Sequence, residues 1–388
     1  MPDMDITRRF FFGAAAMAAG AVGVEAAEDR KPQHGPPAVP EGELPTFRFA
    51  LEDSPAKVIG GNSAREATVE QLPISQGIAG VSMRLEPGGL RELHWHATAA
   101  EWAYVISGRC RTTVIDAEGN SETNDFGPGD VWYFPRGHGH SIQGLGPGTC
   151  HFVLVFDNGY FSEFGTFSVS DWIGHTPKDV LSKNLGLDRS AFDAFPKEEV
   201  YFARGPVPPE RPAAALQGEL RSPANTHKYS MLAQEPHSIH RGGREWRVGA
   251  DRFPISQTIT GVLLELDPGG LRELHWHPTA DEWQYVIDGR VNVTMFGSHG
   301  RYRIEKLGKG DVGYIPQGYG HSIENTGDKT ATILIAFNTG HYQAIDLSTW
   351  LASNPPYLLA ANFGITEAEA KKLPRQQVFI APKEGAGP

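Results

Sequence analysis

Six histidines and two glutamates in this chain have the spacing of metal ligands. In the first set, His94 and His96 stand two residues apart, Glu101 follows after a short turn, and His140 comes 39 residues later. Alternate residues of a β-strand project to the same face, about 6–7 Å apart at Cα, so two such imidazoles can share one ion. Three imidazoles and one carboxylate suit a divalent first-row metal ion, and ligand type alone does not choose among manganese, iron, nickel and zinc.

The same pattern occurs a second time at a fixed distance along the chain. Residues 72–109 match residues 253–290 at an offset of 181 in every position. The second set of ligand-type residues consists of His275, His277, Glu282 and His321. Two copies of this length indicate two homologous domains, because each is long enough to close its own core. The repetition makes unrelated core histidines a weak alternative.

Short strands are the elements that must position these side chains. Residues 111–115 and 291–296 are rich in β-branched side chains, and residues 150–156 and 331–337 are short apolar runs. Both patterns are typical of strands in a barrel or sandwich. The 45 glycines and 29 prolines among 388 residues provide many tight turns. This composition argues against a helical bundle.

Helical patterns occur only after the last strand of each copy. Residues 171–187 match residues 349–365 at an offset of 178. Thr366 and Glu369 then have the spacing of a helix capping box. We therefore expect an all-β fold, with two tandem β-barrel domains that each carry a short helical extension.

A proline-rich stretch separates the two copies and is typical of a linker. It spans residues 205–223 and places the domain boundary near residue 215. The sequence thus predicts an N-terminal domain over 46–215 and a C-terminal domain over 216–388.

Charge and cysteine content exclude some classes of partner. The chain carries 35 basic and 46 acidic residues, a net charge of −11, whereas nucleic-acid binders concentrate lysine and arginine. We therefore expect no nucleic-acid partner. Cys110 and Cys150 are too few for a disulfide framework and are expected to be small buried side chains.

The amino terminus has the pattern of an export signal. Arg8 and Arg9 precede an apolar, alanine-rich run that ends near Ala26 at a small-residue cleavage pattern. Paired arginines favour the bacterial route that exports folded proteins. We expect residues 1–26 to be a removable twin-arginine signal, residues 27–45 to be a flexible lead-in, and the product to be periplasmic or secreted. The run is short for a stable membrane anchor.

The ligands sit within two longer motifs. The first motif holds His94, His96 and Glu101, with glycines before and after them, and the second ends at His140. These positions resemble the two motifs of the cupin signature, whose last asparagine is Gly144 in copy one and Asn325 in copy two. The matching residues of copy one are Gly88, His94, His96, Glu101, Gly108, Gly129, Pro135, Gly137 and His140.

Two cupin copies in one chain resemble the bicupin oxalate decarboxylases of bacteria and fungi, from about residue 46 to the C-terminus. The resemblance rests on RELHWH, GDVWYFPRGHGHSIQG and FDNGYFSEFGTF, which occur in this order. It implies jelly-roll barrels and an enzyme, a carboxy-lyase that converts oxalate to formate and carbon dioxide. It also implies manganese at both sites, dioxygen as a co-catalyst, and assembly of identical chains into trimers or hexamers.

The resemblance also implies roles for residues around the metal. Arg91 and Arg272 would each bind a substrate carboxylate, although strand alternation places them opposite the metal histidines unless the chain bends. Glu163 would be the proton donor on a mobile lid, with Thr166 and Tyr201 as its partners. The lid reads SEFGT here, where bacterial relatives commonly have SENST.

Copy two departs from this pattern after its last strand. Residues 338–350 place no acid at the position of Glu163, and Ile335 stands where relatives have a glutamate. The sequence therefore predicts catalysis in the N-terminal site and a mainly structural or assisting metal in the C-terminal one. Three alternatives stay open: an oxalate oxidase, a non-catalytic metal-binding bicupin, and a cupin enzyme of another class, such as an isomerase or dioxygenase.

Overall fold

A computed structural model of the 388-residue chain describes residues 43–207, residue 209 and residues 226–384. The predicted signal over residues 1–26 lies outside the described residues. So do most of the predicted lead-in and the predicted boundary near residue 215, and these stay predictions.

The N-terminal half consists of short strands followed by two helices. Its strands are β1 (Arg48–Ala50), β2 (Lys57–Ile59), β3 (Asn62–Ala67), β4 (Ala79–Leu85), β5 (Gly89–Trp95), β6 (Glu101–Ser107), β7 (Cys110–Ile115), β8 (Ser121–Phe126), β9 (Asp130–Phe134), β10 (Gly139–Gly144), β11 (Cys150–Phe156), β12 (Phe167–Ser168) and β13 (Phe202–Arg204). The helices between β12 and β13 are α1 (Val169–His175) and α2 (Lys178–Leu185).

The C-terminal half repeats this order. Its strands are β14 (Lys228–Ser230), β15 (Ser238–His240), β16 (Gly243–Val248), β17 (Thr260–Leu266), β18 (Leu271–Trp276), β19 (Glu282–Asp288), β20 (Arg290–Phe296), β21 (Tyr302–Gly308), β22 (Asp311–Ile315), β23 (Gly320–Asn325), β24 (Ala331–Phe337), β25 (Ile345–Asp346) and β26 (Ile380–Ala381). The helices between β25 and β26 are α3 (Leu347–Ala352), α4 (Pro356–Phe363) and α5 (Glu367–Ala370).

Two sheets form each barrel. Among the described residues, the N-terminal sheets have the orders β14-β9-β6-β11-β4-β3-β2 and β12-β5-β10-β7-β8, with β13 also paired to β5. The C-terminal sheets have the orders β1-β22-β19-β24-β17-β16-β15 and β21-β20-β23-β18-β25, with β26 also paired to β18. Buried apolar side chains fill each barrel, and Cys110 and Cys150 lie among them as free thiols. The predicted all-β fold of two tandem barrels is confirmed.

The two halves exchange their first strands. Strand β1 pairs with β22 of the C-terminal barrel, and β14 pairs with β9 of the N-terminal barrel. The predicted ranges 46–215 and 216–388 therefore each begin with a strand that completes a sheet of the other barrel. Neither barrel's larger sheet is complete without the other half of the chain.

Reciprocal tryptophan–glycine contacts join the seven-stranded sheets of the two barrels. The side chains of Trp102 and Trp283 are both fully buried. A Cβ at Gly261 would lie 2.1 Å from Cζ2 of Trp102, and a Cβ at Gly80 would lie 2.2 Å from Cζ2 of Trp283. Each glycine thus makes room for an indole of the other barrel, so the two barrels pack closely.

The helical extensions follow the predicted pattern. Gly186 and Gly364 adopt left-handed conformations and end α2 and α4, as C-cap glycines commonly do. Thr366 and Glu369 form the predicted capping box at the start of α5. No helix within the described part of the chain is long and apolar enough to cross a membrane.

Candidate metal centres and the arginine–glutamate cluster

A bulge in β5 brings an arginine to the same side of the strand as the first metal histidine. His94 lies opposite His140 on β10, whereas Arg91 lies opposite Ile142, so three steps on β5 correspond to two steps on β10. The extra residue reverses the alternation that would otherwise place Arg91 on the other face. Strand β18 carries the same shift against β23. The bend that brings Arg91 and Arg272 to the side of the metal histidines is therefore present in both barrels.

The four predicted ligands of the N-terminal barrel converge on one point. His94, His96, Glu101 and His140 are buried, and one ligand atom from each lies within 4.8 Å of all the others. The three Nε2 atoms and Oε2 of Glu101 have no hydrogen-bond partner. Since unpaired buried polar atoms are costly, their convergence indicates a cation-binding site.

Backbone carbonyls orient two of these imidazoles. Nδ1 of His94 lies 2.6 Å from the carbonyl oxygen of Glu92, and Nδ1 of His140 lies 2.9 Å from that of His138. A carbonyl only accepts, so each Nδ1 carries the proton and each Nε2 lone pair faces the centre. Burial and the charge of Arg91 hold the pKa of His94 well below its usual value, which favours the neutral, ligating form.

The C-terminal cluster has the same composition. His275, His277, Glu282 and His321 are buried with their ligand atoms within 4.8 Å of one another. Oε2 of Glu282 lies 2.8 Å from Nε2 of His277 and 2.9 Å from Nε2 of His321. Burial raises the pKa of Glu282, but these two imidazoles outweigh burial and hold the pKa well below its usual range.

Different side chains support the carboxylate ligand in the two barrels. The indole N–H of Trp132 donates to Oε1 of Glu101 at 2.6 Å, and the amide of Gln284 donates to Oε1 of Glu282 at 2.7 Å. Gly313 stands at the position of Trp132, and a Cβ there would lie 2.9 Å from Oε1 of Gln284. The two sites therefore keep the same hydrogen bond with different donors, and these donors were not predicted from the sequence.

Each cluster offers three nitrogen donors and one oxygen donor to a single divalent ion. Both sets lie inside a barrel, on strands that converge from neighbouring sheets, and within the described ranges 43–207 and 226–384 they are the two groups with this geometry. The structure thus brings together all eight predicted ligands. Four donors leave further coordination positions of a divalent ion for water or substrate.

The residues predicted to act on the substrate meet beside the N-terminal cluster. Nε of Arg91 donates to Oε1 of Glu163 at 2.7 Å, and Nη2 of Arg91 donates to Oγ1 of Thr166 at 2.7 Å. The Arg91 guanidinium also stacks on the Tyr201 ring, with Cζ 4.0 Å from the centroid, and donates to the Tyr201 carbonyl at 3.4 Å. One contiguous group therefore contains all four residues.

Glu163 reaches from this group to the metal ligands. Its Oε1 lies 3.7 Å from Nε2 of His94, and its Oε2 lies 3.2 Å from Nε2 of His96. Burial raises the pKa of Glu163, but the charge of Arg91 and the contact with His96 outweigh burial and lower it to about 2. Glu163 is therefore ionised in this arrangement.

A left-handed backbone conformation positions the Tyr201 ring over the arginine. Tyr201 has φ 58°, and its N–H donates to Oε1 of Glu92 at 2.6 Å. In the C-terminal barrel, Phe379 has φ 57° and its ring lies 3.9 Å from Cζ of Arg272. This conformation is uncommon for residues other than glycine, and in both barrels it accompanies a ring that lies over the arginine.

Glu163 lies on a single turn that a second acid holds. The lid segment (residues 162–166) contains a 3₁₀ turn over Glu163–Gly165, and Oγ of Ser162 accepts from the N–H of Phe164 at its start. The same hydroxyl lies 3.0 and 2.9 Å from the two carboxylate oxygens of Glu66 on β3. The sequence carried no signal for Glu66, because a single acid within a strand has no distinctive pattern.

The C-terminal barrel lacks this turn and has another acid instead. Ser168 and Asp346 occupy equivalent positions, because Ser168 pairs with His94 and Asp346 pairs with His275. The chain between the metal histidine and this position is three residues shorter in copy two. Nη1 of Arg272 lies 2.8 Å from Oδ1 of Asp346. Asp346 was not predicted from the sequence, because it stands at a different position along the loop from Glu163.

The cupin family profile matches residues 50–192 and 229–371, one match in each half of the chain. With a three-histidine, one-carboxylate cluster in each barrel, the chain is a bicupin.

Comparison with individual proteins shows which family of bicupins this chain resembles. The chain is 41% identical over 330 residues to an oxalate decarboxylase of Bacillus subtilis, which covers 85% of each chain. It is 34% identical over 348 residues to a probable oxalate decarboxylase of Arthroderma benhamiae, covering 89% of this chain and 85% of the relative. A solved structure of the Bacillus subtilis enzyme, from work on its Mn(II) centres, matches with a TM-score of 0.84 at 39% identity, covering 89% of this chain and 90% of that one. The chain belongs to the bicupin oxalate decarboxylase family.

Proposed function

We propose that this protein decarboxylates oxalate to formate and carbon dioxide, mainly at the N-terminal site. One observation carries the proposal: a buried guanidinium and a buried carboxylate, those of Arg91 and Glu163, lie side by side at the edge of a metal cluster. The first can bind one end of a dicarboxylate, and the second can transfer a proton at the other end. The names of the relatives, oxalate decarboxylases, support oxalate as the substrate.

Manganese is the metal that we propose for both clusters. The mixed imidazole and carboxylate donors fit it, and the solved relative is described as having Mn(II) centres. When bound, manganese supplies a Lewis-acidic and redox-active centre beside the substrate. Dioxygen as a co-catalyst is carried over from the family as part of the same proposal.

Arg91 would bind one carboxylate of oxalate. A guanidinium presents parallel N–H donors that match the two oxygens of a carboxylate, which lysine cannot do. Arg91 is fully buried, so this ion pair would form in a medium that screens charge weakly. The other carboxylate of the substrate would then point towards His94 and His96.

Glu163 would move the proton. Hydrogen oxalate gives formate and carbon dioxide without any net change in atoms or charge, provided that its proton ends on carbon. Glu163 would take this proton as a base and return it to carbon, as an acid, after the carbon–carbon bond has broken. Its complete burial supports the role, because a proton held there is not exchanged with bulk water during the step.

Thr166 and Tyr201 would orient the arginine rather than react. Thr166 accepts a hydrogen bond from Arg91 at the end of the lid segment, and Tyr201 contributes its ring and carbonyl oxygen. Together they fix the guanidinium plane towards the metal cluster. We propose both residues as partners of the lid segment.

An oxalate oxidase is the second candidate, because it would use the same metal and the same arginine while forming carbon dioxide and hydrogen peroxide. Glu163 favours decarboxylation, since it can return a proton to carbon. The test is to incubate the manganese-loaded protein with oxalate and to quantify formate, peroxide and bound metal. We expect one formate per oxalate consumed. Peroxide in that proportion would identify an oxidase, and neither product would indicate a non-catalytic metal-binding bicupin.

The C-terminal metal would be mainly structural or assisting. That barrel lacks the turn that carries Glu163, and Ile335 is buried in its core. The expectation that Arg272 also binds substrate stays a prediction, and the ion pair between Arg272 and Asp346 bears directly on it.

Assembly into trimers or hexamers is a further part of the proposal. Large apolar side chains are exposed on the helical extensions of both barrels, such as Trp172 and Trp350, which are 64% and 55% exposed. Exposed apolar surface of this kind is common at contacts between identical chains. Light scattering coupled to size-exclusion chromatography would measure the mass.

Export by the twin-arginine route completes the proposal. It rests on residues 1–26, with their paired arginines and apolar run. Fractionation of the producing bacterium would test it. We expect the mature chain outside the cytoplasm, and its retention when Arg8 and Arg9 are both replaced by lysine.

A further inference from the structure

The two equivalent arginines are neutralised by acids from different elements. Arg91 pairs with Glu163, which lies on a three-residue turn between two strands. Arg272 pairs with Asp346, which lies in β25 and is hydrogen-bonded in register opposite His275. A lid turn can move away from its arginine, whereas Asp346 belongs to a short edge strand whose backbone is paired to β18.

The Asp346 side chain contacts Arg272 and does not cap the helix that follows it. It stands at the N-cap of α3, where an aspartate normally accepts a hydrogen bond from the first turn, yet its side chain makes no such bond. Ser168, at the same register position in the other barrel, does cap its helix by accepting from the N–H of Asp171. The Asp346 carboxylate faces Arg272 instead, and its second oxygen accepts from Gln377.

Other groups of the C-terminal barrel also contact the Arg272 guanidinium. Nη1 donates to the carbonyl oxygen of Phe379 at 3.3 Å, Nη2 donates to the hydroxyl of Tyr342 at 3.5 Å, and the Phe379 ring covers one face. Arg272 is 2% exposed and Asp346 is 4% exposed. A buried ion pair of this kind is costly to break, because it leaves an uncompensated charge.

Solvent space reaches this ion pair from outside. A cavity of about 600 Å³ lies beside it. Its walls include Tyr342, Gln343, Asp346, Gln377 and Phe379. Asp346 lines this cavity whereas Arg272 does not, so a small anion that entered it would meet the Asp346 carboxylate before the Arg272 guanidinium. The wall also carries Arg247, which is paired with Glu245.

We propose that Asp346 is a built-in counter-ion that occupies the carboxylate-binding arginine of the C-terminal metal site and thereby excludes dicarboxylates from that site. Asp346 is then a residue that determines which of the two metal sites takes substrate. The inference rests on the proposed function in one respect, since it takes oxalate as the anion that the equivalent arginine binds.

The test counts oxalate sites in manganese-loaded protein that cannot turn oxalate over. In a Glu163→Ala background, Asp346 is replaced by Ser, the residue of the other barrel, or by Asn, which keeps the size and the contact with Gln377. Asp328→Ser makes the same change at an exposed position of the same barrel and serves as the control. Manganese content confirms two loaded sites, and calorimetry with oxalate, together with the Mn(II) resonance spectrum, gives the number of oxalate ions bound per chain.

We expect one oxalate per chain in the background and in the control, and two in at least one Asp346 variant. Loss of one like charge at about 5 Å should tighten binding at the second site on the order of 100-fold. Two oxalates per chain with Asp346 intact, or one in both fully loaded variants, would overturn the inference. No oxalate bound in the background would instead contradict the proposed function, so the two failures are distinguishable.

Discussion

The hydroxyl of Ser162 links the lid segment to a carboxylate on the barrel wall, and this link predicts a measurable effect on turnover. Glu66 accepts from Ser162, and the backbone N–H groups of Glu163 and Phe164 also interact with its carboxylate. Burial and the nearby charge of Glu163 raise the pKa of Glu66 above its usual value, and the hydrogen bonds only partly oppose this rise. Replacing Glu66 by Ala removes the whole anchor without touching a metal ligand or Arg91.

The size of the effect follows from the number and kind of bonds lost. A hydrogen bond contributes about 0.5–1.5 kcal/mol between neutral groups and about 1.5–3 kcal/mol when one group is charged, and Glu66 accepts from more than one donor. A loss of about 2 kcal/mol changes the ratio of anchored to released lid roughly 30-fold, since each 1.4 kcal/mol corresponds to a factor of ten. If proton transfer requires Glu163 in the position seen here, kcat for formate should fall by up to that factor, since the anchored fraction cannot fall by more than the ratio does. KM for oxalate should change little, because Arg91 and the metal cluster are intact.

Steady-state formate production by Glu66→Ala, Ser162→Ala and the double variant measures this coupling. Because both single variants remove the same bond, their effects should not add, and the double variant should resemble the more impaired single variant. Glu70→Ala, at an exposed position shortly after β3, is the matched control. Unchanged kcat in Glu66→Ala, or additive losses in the double variant, would refute the anchoring role.

Further predictions concern the second metal and the packing of the barrels. Glu282→Gln removes the anionic donor of the C-terminal cluster, so elemental analysis should show bound manganese falling from two ions per chain to about one. In Glu52, burial raises the pKa, but hydrogen bonds from His151 and from side chains on β4 outweigh burial and lower it. The ionised carboxylate therefore stabilises the fold above about pH 4.3 and this contribution is lost as the pH falls, so Glu52→Gln should lose less unfolding free energy on acidification in urea titrations. Gly80→Ala should lower the unfolding free energy by about 1–3 kcal/mol, because its Cβ would meet a buried indole, whereas Gly127→Ala, with open space around its Cβ, should change it by less than about 0.5 kcal/mol.

The metal ligands were predictable because their signal is local and repeated. His94 and His96 stand at strand spacing, and the copy 181 residues later repeats every ligand position. The barrel fold was predictable for the same reason, since the strand patterns and turn residues recur in both copies. Local periodicity therefore sufficed for the elements and for the residues that they carry.

Features that depend on contacts between distant segments were not predictable. The exchange of β1 and β14 between the barrels leaves no pattern in either strand. The side of the strand on which Arg91 lies depends on a bulge that alternation alone does not indicate. Asp346 looks like an ordinary N-cap residue in the sequence, and its pairing with Arg272 emerges only when the shortened loop is placed in three dimensions.

The central claim is that Glu163 returns a proton to carbon at the N-terminal site, and formate production by Glu163→Ala tests it most directly. Oxalate consumption and formate are measured in the manganese-loaded variant and in the unchanged protein at equal metal content. We expect formate to be abolished in the variant while two manganese ions per chain are retained. Formate production at the full rate by Glu163→Ala would contradict the account.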